Sequence, residues 1–139
     1  MLGTLLVSLL AFCEPETPAR PTLLVVVGAS GTDEYGKQFR GWAERWRQAA
    51  QRGGAACSLI GVDEAAGDDR EALARRLAEE RQRPGAALWL VLIGHGTFDG
   101  KTARFNLRGP DVSAAELSEW LEGVQRPLAV VDCASASGP

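Results

Sequence analysis

From residue 22 onward, short unbroken apolar runs alternate with amphipathic stretches. Leu23-Leu24-Val25-Val26-Val27 carries no polar interruption and ends at Gly28. A half-exposed strand would alternate, so this run reads as a parallel strand buried on both faces. Over 33–52 the apolar positions Phe39, Trp42, Trp46 and Ala49 fall three or four apart, with Arg40, Arg45, Arg47 and Gln48 between them. That spacing predicts an amphipathic helix, stopped by Gly53-Gly54. The unit then repeats: a strand over 56–62, and a helix over 69–83 with Leu73 and Leu77 inward and Pro84-Gly85 as its stop. A third strand over 87–93 is the most apolar of all and halts at Gly94-His95-Gly96.

Beyond it, the Asp99-Gly100 turn signal and the alternating run Arg104-Phe105-Asn106-Leu107 predict a small hairpin within 97–110, outside the main sheet. Ser113 and Glu116 have capping-box spacing, and Leu117, Leu121 and Val124 follow at helical intervals, so a third helix is expected. Leu128-Ala129-Val130-Val131 is the fourth strand, leading into Asp132-Cys133-Ala134-Ser135-Ala136-Ser137-Gly138-Pro139. Four strands alternating with three helices imply a three-layer α/β/α domain around a parallel sheet. In such sheets the ligand crevice lies outside the carboxyl ends of the strands, which here are 28–31, 94–96 and 132–138.

At 139 residues, with 45% hydrophobic and 24% charged residues, the chain has room for one core. The net charge of −3 and the dispersal of arginines along helices argue against a nucleic-acid partner. Residues 1–21 form a separate region. Leu5-Leu6-Val7-Ser8-Leu9-Leu10-Ala11-Phe12 is too short to span a bilayer, which takes about 20 residues, and reads as the apolar part of a signal peptide, although no Lys or Arg precedes it. Export to the periplasm or the extracellular space is therefore expected, with membrane contact only through this leader. Cys13 follows bulky Phe12 where a lipidated cysteine usually follows a small residue, so lipidation is the weaker reading. The Pro-rich 14–21 is an extended tether, and the folded domain is expected over 22–139.

The only histidine and one of three cysteines stand at neighbouring strand ends. Cys13, Cys57 and Cys133 are too scattered for a zinc ribbon or a disulfide framework, so any cysteine role is individual and no metal or cofactor is implied. A cysteine nucleophile acts as its thiolate and needs a base, most often histidine. His95 as base, Cys133 as nucleophile, and the backbone N–H groups of Gly96 and Cys133 as oxyanion donors supply the three parts of an acyl-transfer site. Cys57, inside a strand, reads as a small hydrophobe. Trp42, Trp46, Trp89 and Trp120 read as core or rim. The Gly28-Ala29-Ser30-Gly31 turn lacks a dinucleotide or Walker fingerprint. Asp33, Glu34 and Lys37 beside it are candidates to face the cleft.

The apolar strand ending in His95-Gly96, followed by a helix and an apolar strand ending in Asp132-Cys133 and then Ser137-Gly138, resembles the caspase and legumain group of cysteine peptidases, in particular bacterial legumain-like members. The resemblance covers most of 22–138. It implies the caspase-haemoglobinase fold and cofactor-free cleavage of peptide or protein substrates by a cysteine endopeptidase through His95 and Cys133. It also implies further strands, so the chain reads as an N-terminal portion stopping after strand four. Two registers stay open, because the family's cysteine is separated from a Ser-Gly pair by one residue. Aligned on Ser137-Gly138, that place belongs to Ser135, and the alternative is an inactive peptidase-like scaffold that binds peptides or a protein partner.

Overall fold

The computed structural model describes residues 19–63 and 67–135. Its centre is a parallel sheet in the order β2-β1-β3-β7, with β1 at Thr22–Val27, β2 at Ala56–Ile60, β3 at Leu88–Ile93 and β7 at Leu128–Asp132. β1 is buried along its whole length between β2 and β3, which is why it is apolar from Leu23 to Val27. Alternate side chains go to opposite faces. Leu23, Val25, Val27, Val91 and Ile93 pack against Phe39, Ala43 and Ala50 of α1 (Asp33–Arg52). Leu24, Val26, Leu90 and Leu92 pack against Leu73 and Leu77 of α2 (Asp69–Arg81), with Leu117, Trp120 and Leu121 around α3 (Ala114–Leu121) joining from the rim. The fold is thus α/β with three layers: one helix on one face of the sheet and two on the other.

Between β3 and α3 lies a separate antiparallel sheet of β4 (Gly96–Phe98), β5 (Ala103–Phe105) and β6 (Val112–Ser113). The predicted hairpin is its β4–β5 part, turned by Gly100 at φ +89°. Only two residues long, β6 carried no alternating signal. The hairpin is locked to the main sheet by Phe105, whose ring fills the space a side chain would take at Gly28 and Gly94. Asn106 continues the lock: its N–H donates to the His95 carbonyl (3.0 Å), and its own carbonyl accepts from the Ala29 N–H (2.9 Å).

The capping box forms as its spacing predicts: the Ser113 hydroxyl accepts from the Glu116 N–H (3.2 Å), while the Glu116 carboxylate accepts from the Ser113 N–H (2.9 Å). The helix it starts ends at Leu121, so Val124 lies beyond it, and the second strand stops at Ile60 because Gly61 turns the chain at φ +86°. Trp42 and Trp89 are 41% and 42% exposed, which places both at the rim. Residues 1–18, including the expected leader, and 136–139, including Ser137-Gly138, lie outside the described residues.

Candidate active site

His95 and Ser135 are direct partners in the sheet register. β3 and β7 pair from Leu88↔Leu128 to Leu92↔Asp132, and beyond the regular strands His95 bridges Ser135. Partners across a parallel pair share a face, so both side chains stand on the α1 side. His95 Nδ1 lies 3.3 Å from Ser135 Oγ, and Nε2 lies 3.2 Å from the carbonyl oxygen of Ser30. Because a carbonyl only accepts, the partners assign the proton to Nε2 and leave the Nδ1 lone pair facing the hydroxyl. The Gly96 N–H also points to Ser135 Oγ, at 3.4 Å.

The imidazole is seated by α1. Tyr35 meets it edge-on at 4.8 Å between centroids and Phe39 at 5.1 Å. Such edge contacts fix the plane of a ring with few hydrogen bonds. The α1 N-terminus is itself set by Thr32, whose hydroxyl accepts from the Tyr35 N–H (3.3 Å). The 28–31 turn lies at this edge, as its place after the first strand predicts, but residue types do not reveal what it contributes there. The turn delivers a carbonyl to the histidine, not amides to an anion, and carbonyl direction leaves no trace in residue types. Tyr35 and Phe39 carried a signal only as a helical stripe, which marks a core face as readily as a site.

Cys133 is not the residue brought to His95. It lies two positions before Ser135 on the same face, about 6–7 Å lower along the strand at a rise of ~3.3 Å per residue. There it lines a groove of about 320 Å³ with Trp42, Arg45, Trp46 and Ile93. Nor does its backbone serve as an oxyanion donor: the Cys133 N–H donates to the Leu92 carbonyl at 2.9 Å as part of the ladder. Cys57 sits half-buried against the α1 cluster, and burial raises its thiol pKa, as expected of a packing residue. Asp33 and Glu34 occupy the first turn of α1 at its exposed end, where negative charge suits the helix dipole.

On the opposite face, Gly96 and Ala134 border a recess of about 70 Å³ walled by Leu92, Phe105, Val112 and Leu117. Among the described residues no group of three or more His, Cys, Asp or Glu is arranged to hold a metal ion. The described residues also include no helix long and apolar enough to cross a membrane. Comparison with protein-family models, curated proteins and solved structures finds no match to this chain.

Proposed function

We propose that this chain carries a hydrolytic site of the caspase and legumain type that cleaves peptide bonds, with His95 as general base and Ser135 in the nucleophile's place. The observation behind this reading is the pair of contacts at His95, with Nδ1 on the Ser135 hydroxyl and Nε2 on the Ser30 carbonyl. A serine hydroxyl is a weak nucleophile until a base takes its proton, and the base must be held in the tautomer that can accept it. Ser30 does this with a backbone carbonyl in place of a carboxylate. When Oγ attacks a carbonyl carbon, its proton passes to Nδ1, and the Ser30 carbonyl stabilises the resulting imidazolium through Nε2–H. The displaced electron pair settles on the substrate oxygen, for which the nearby Gly96 N–H is a donor. The adduct then collapses: the C–N bond breaks as Nδ1 gives its proton to the leaving amine, water attacks the acyl-serine ester while passing a proton to Nδ1, and the C–Oγ bond breaks as that proton returns to Oγ.

The sequence supports the same register, since a single residue separates Ser135 from Ser137-Gly138, whereas three separate Cys133 from it. The test is covalent labelling combined with turnover of a peptide library. A fluorophosphonate is expected to modify Ser135, with labelling and turnover both lost in Ser135→Ala and reduced about 10²-fold or more in His95→Ala. Cys133→Ala is expected to keep both. Turnover that survives Ser135→Ala but disappears in Cys133→Ala, with rapid iodoacetamide capture of Cys133, would restore the cysteine dyad. Complete inertness of the wild type to both reagents and to all peptides would leave the peptide-binding scaffold as the better reading.

A further inference from the structure

We infer that the recess beside Gly96 and Ala134 receives a basic side chain, lysine or arginine, of the residue adjoining the bond to be cleaved, and that Asp132 is the group selecting it. The inference rests on the proposed hydrolytic site and adds a substrate class to it.

Gly96 lines the recess and also directs its N–H at Ser135 Oγ, while Ala134 lines it one residue before the nucleophile. A substrate carbonyl held between Oγ and the Gly96 N–H therefore has its neighbouring side chain at the mouth of this space.

Leu92, Phe105, Val112 and Leu117 provide apolar walls, and about 70 Å³ is room for roughly five water-sized atoms at ~10–15 Å³ each, the number of heavy atoms in a lysine side chain. Apolar walls with a single charge suit a side chain whose hydrocarbon stem is buried while its head stays near water.

The charge balance decides the sign. Two charged residues border the recess, Arg104 and Asp132. Arg104 is already committed, its guanidinium paired with the Asp99 carboxylate at 3.0 Å. Asp99 is held in place by the Thr102 and Lys101 N–H groups as well. Asp132 is exposed, and among the described residues its one hydrogen bond comes from the Ala134 N–H (2.9 Å) to Oδ1. That bond aims the carboxylate and leaves Oδ2 to meet a cation. An acidic side chain would face an uncompensated Asp132 and a neutralised Arg104, so it is disfavoured.

The test reads binding, so it stands apart from turnover. Nα-acetyl-L-lysine N-methylamide is titrated into the full chain while the Gly96, Ala103 and Ala134 amide resonances are followed by NMR. The uncharged norleucine and the acidic glutamate analogues serve as comparators. The lysine compound is expected to bind about fivefold more tightly than norleucine, the factor for an exposed ion pair near ~1 kcal/mol. Asp132→Asn keeps the Oδ1 acceptor for Ala134 and is expected to erase that preference with the Ala134 amide still hydrogen-bonded, whereas Ser135→Ala is expected to keep it. Equal binding of lysine and norleucine, tighter binding of glutamate, or a preference that survives Asp132→Asn would overturn the inference. Loss of labelling and turnover with the lysine preference intact would sink the hydrolytic reading alone.

Discussion

Removing the carboxylate of Glu80 is expected to be among the most damaging single changes in this molecule, although Glu80 lies far from the site. Its side chain is fully buried, and it pairs with Arg126, which is 7% exposed, and with Arg76 at 2.7 Å. The Arg126 guanidinium also donates to the Ala86 carbonyl (3.1 Å) and the Thr22 hydroxyl (3.3 Å), so one cluster ties α2, the start of β1 and the approach to β7. Glu80→Ala leaves Arg126 buried without its counter-charge. Breaking a buried pair in this way typically costs ~3–5 kcal/mol, against ~5–15 kcal/mol of total stability for a domain of this size. At roughly 3–5 °C per kcal/mol, the melting temperature is expected to fall by about 10–20 °C. Urea unfolding followed by circular dichroism measures the loss. The double variant Glu80→Leu with Arg126→Met removes both charges while filling similar space, and is expected to recover most of the difference, since apolar replacement of a whole buried pair is often neutral or stabilising. A single Glu80→Ala variant within ~1 kcal/mol of wild type, or a double variant no better than the single, would refute the view that the unpaired charge is what costs stability.

Two further outcomes test the local geometry. Gly61→Ala is expected to cost about 3 kcal/mol or more in the same urea assay, because the new Cβ would collide with the Val27 carbonyl oxygen at a residue held at φ +86°; a loss below ~0.5 kcal/mol would show that the turn re-forms easily. Glu44, Asp99 and Glu116 have pKa values lowered to about 2, Glu44 and Glu116 chiefly by arginine partners and Asp99 chiefly by the Thr102 N–H. A carboxyl with a depressed folded pKa contributes stability above its unfolded pKa and loses it as pH falls toward the folded value. Stability is therefore expected to decline between about pH 4.5 and pH 2, and Glu116→Gln to shallow that slope; an unchanged acid limb in a pH series of unfolding curves would remove Arg70 and Ser113 as its cause.

What the sequence determined by itself was local. An unbroken apolar run such as 23–27 admits one economical placement, the middle of a parallel sheet, and the 3.6-residue stripe of α1 needs only its own side chains to declare a face. The Ser113–Glu116 cap closes within four residues, as does the turn that Asp99-Gly100 opens and Thr102 closes. The ends of the first, third and fourth strands, and with them the sheet edge that carries His95 and Ser135, followed from these without any knowledge of packing. Spacing along the chain offers both Cys133 and Ser135 beside His95, because spacing along a loop does not say which residue a neighbouring strand will face. Register decided between them: with Leu92 opposite Asp132, the two-residue periodicity carries Ser135 to His95 and leaves Cys133 lower on the same face. The Ser30 carbonyl at His95 Nε2, the Phe105 ring beneath Gly28, and the carboxylate of Asp132 across the recess from Gly96 all join residues more than 30 positions apart. Contacts of that range are fixed by how the layers close on one another, and only the tertiary structure contains that closure.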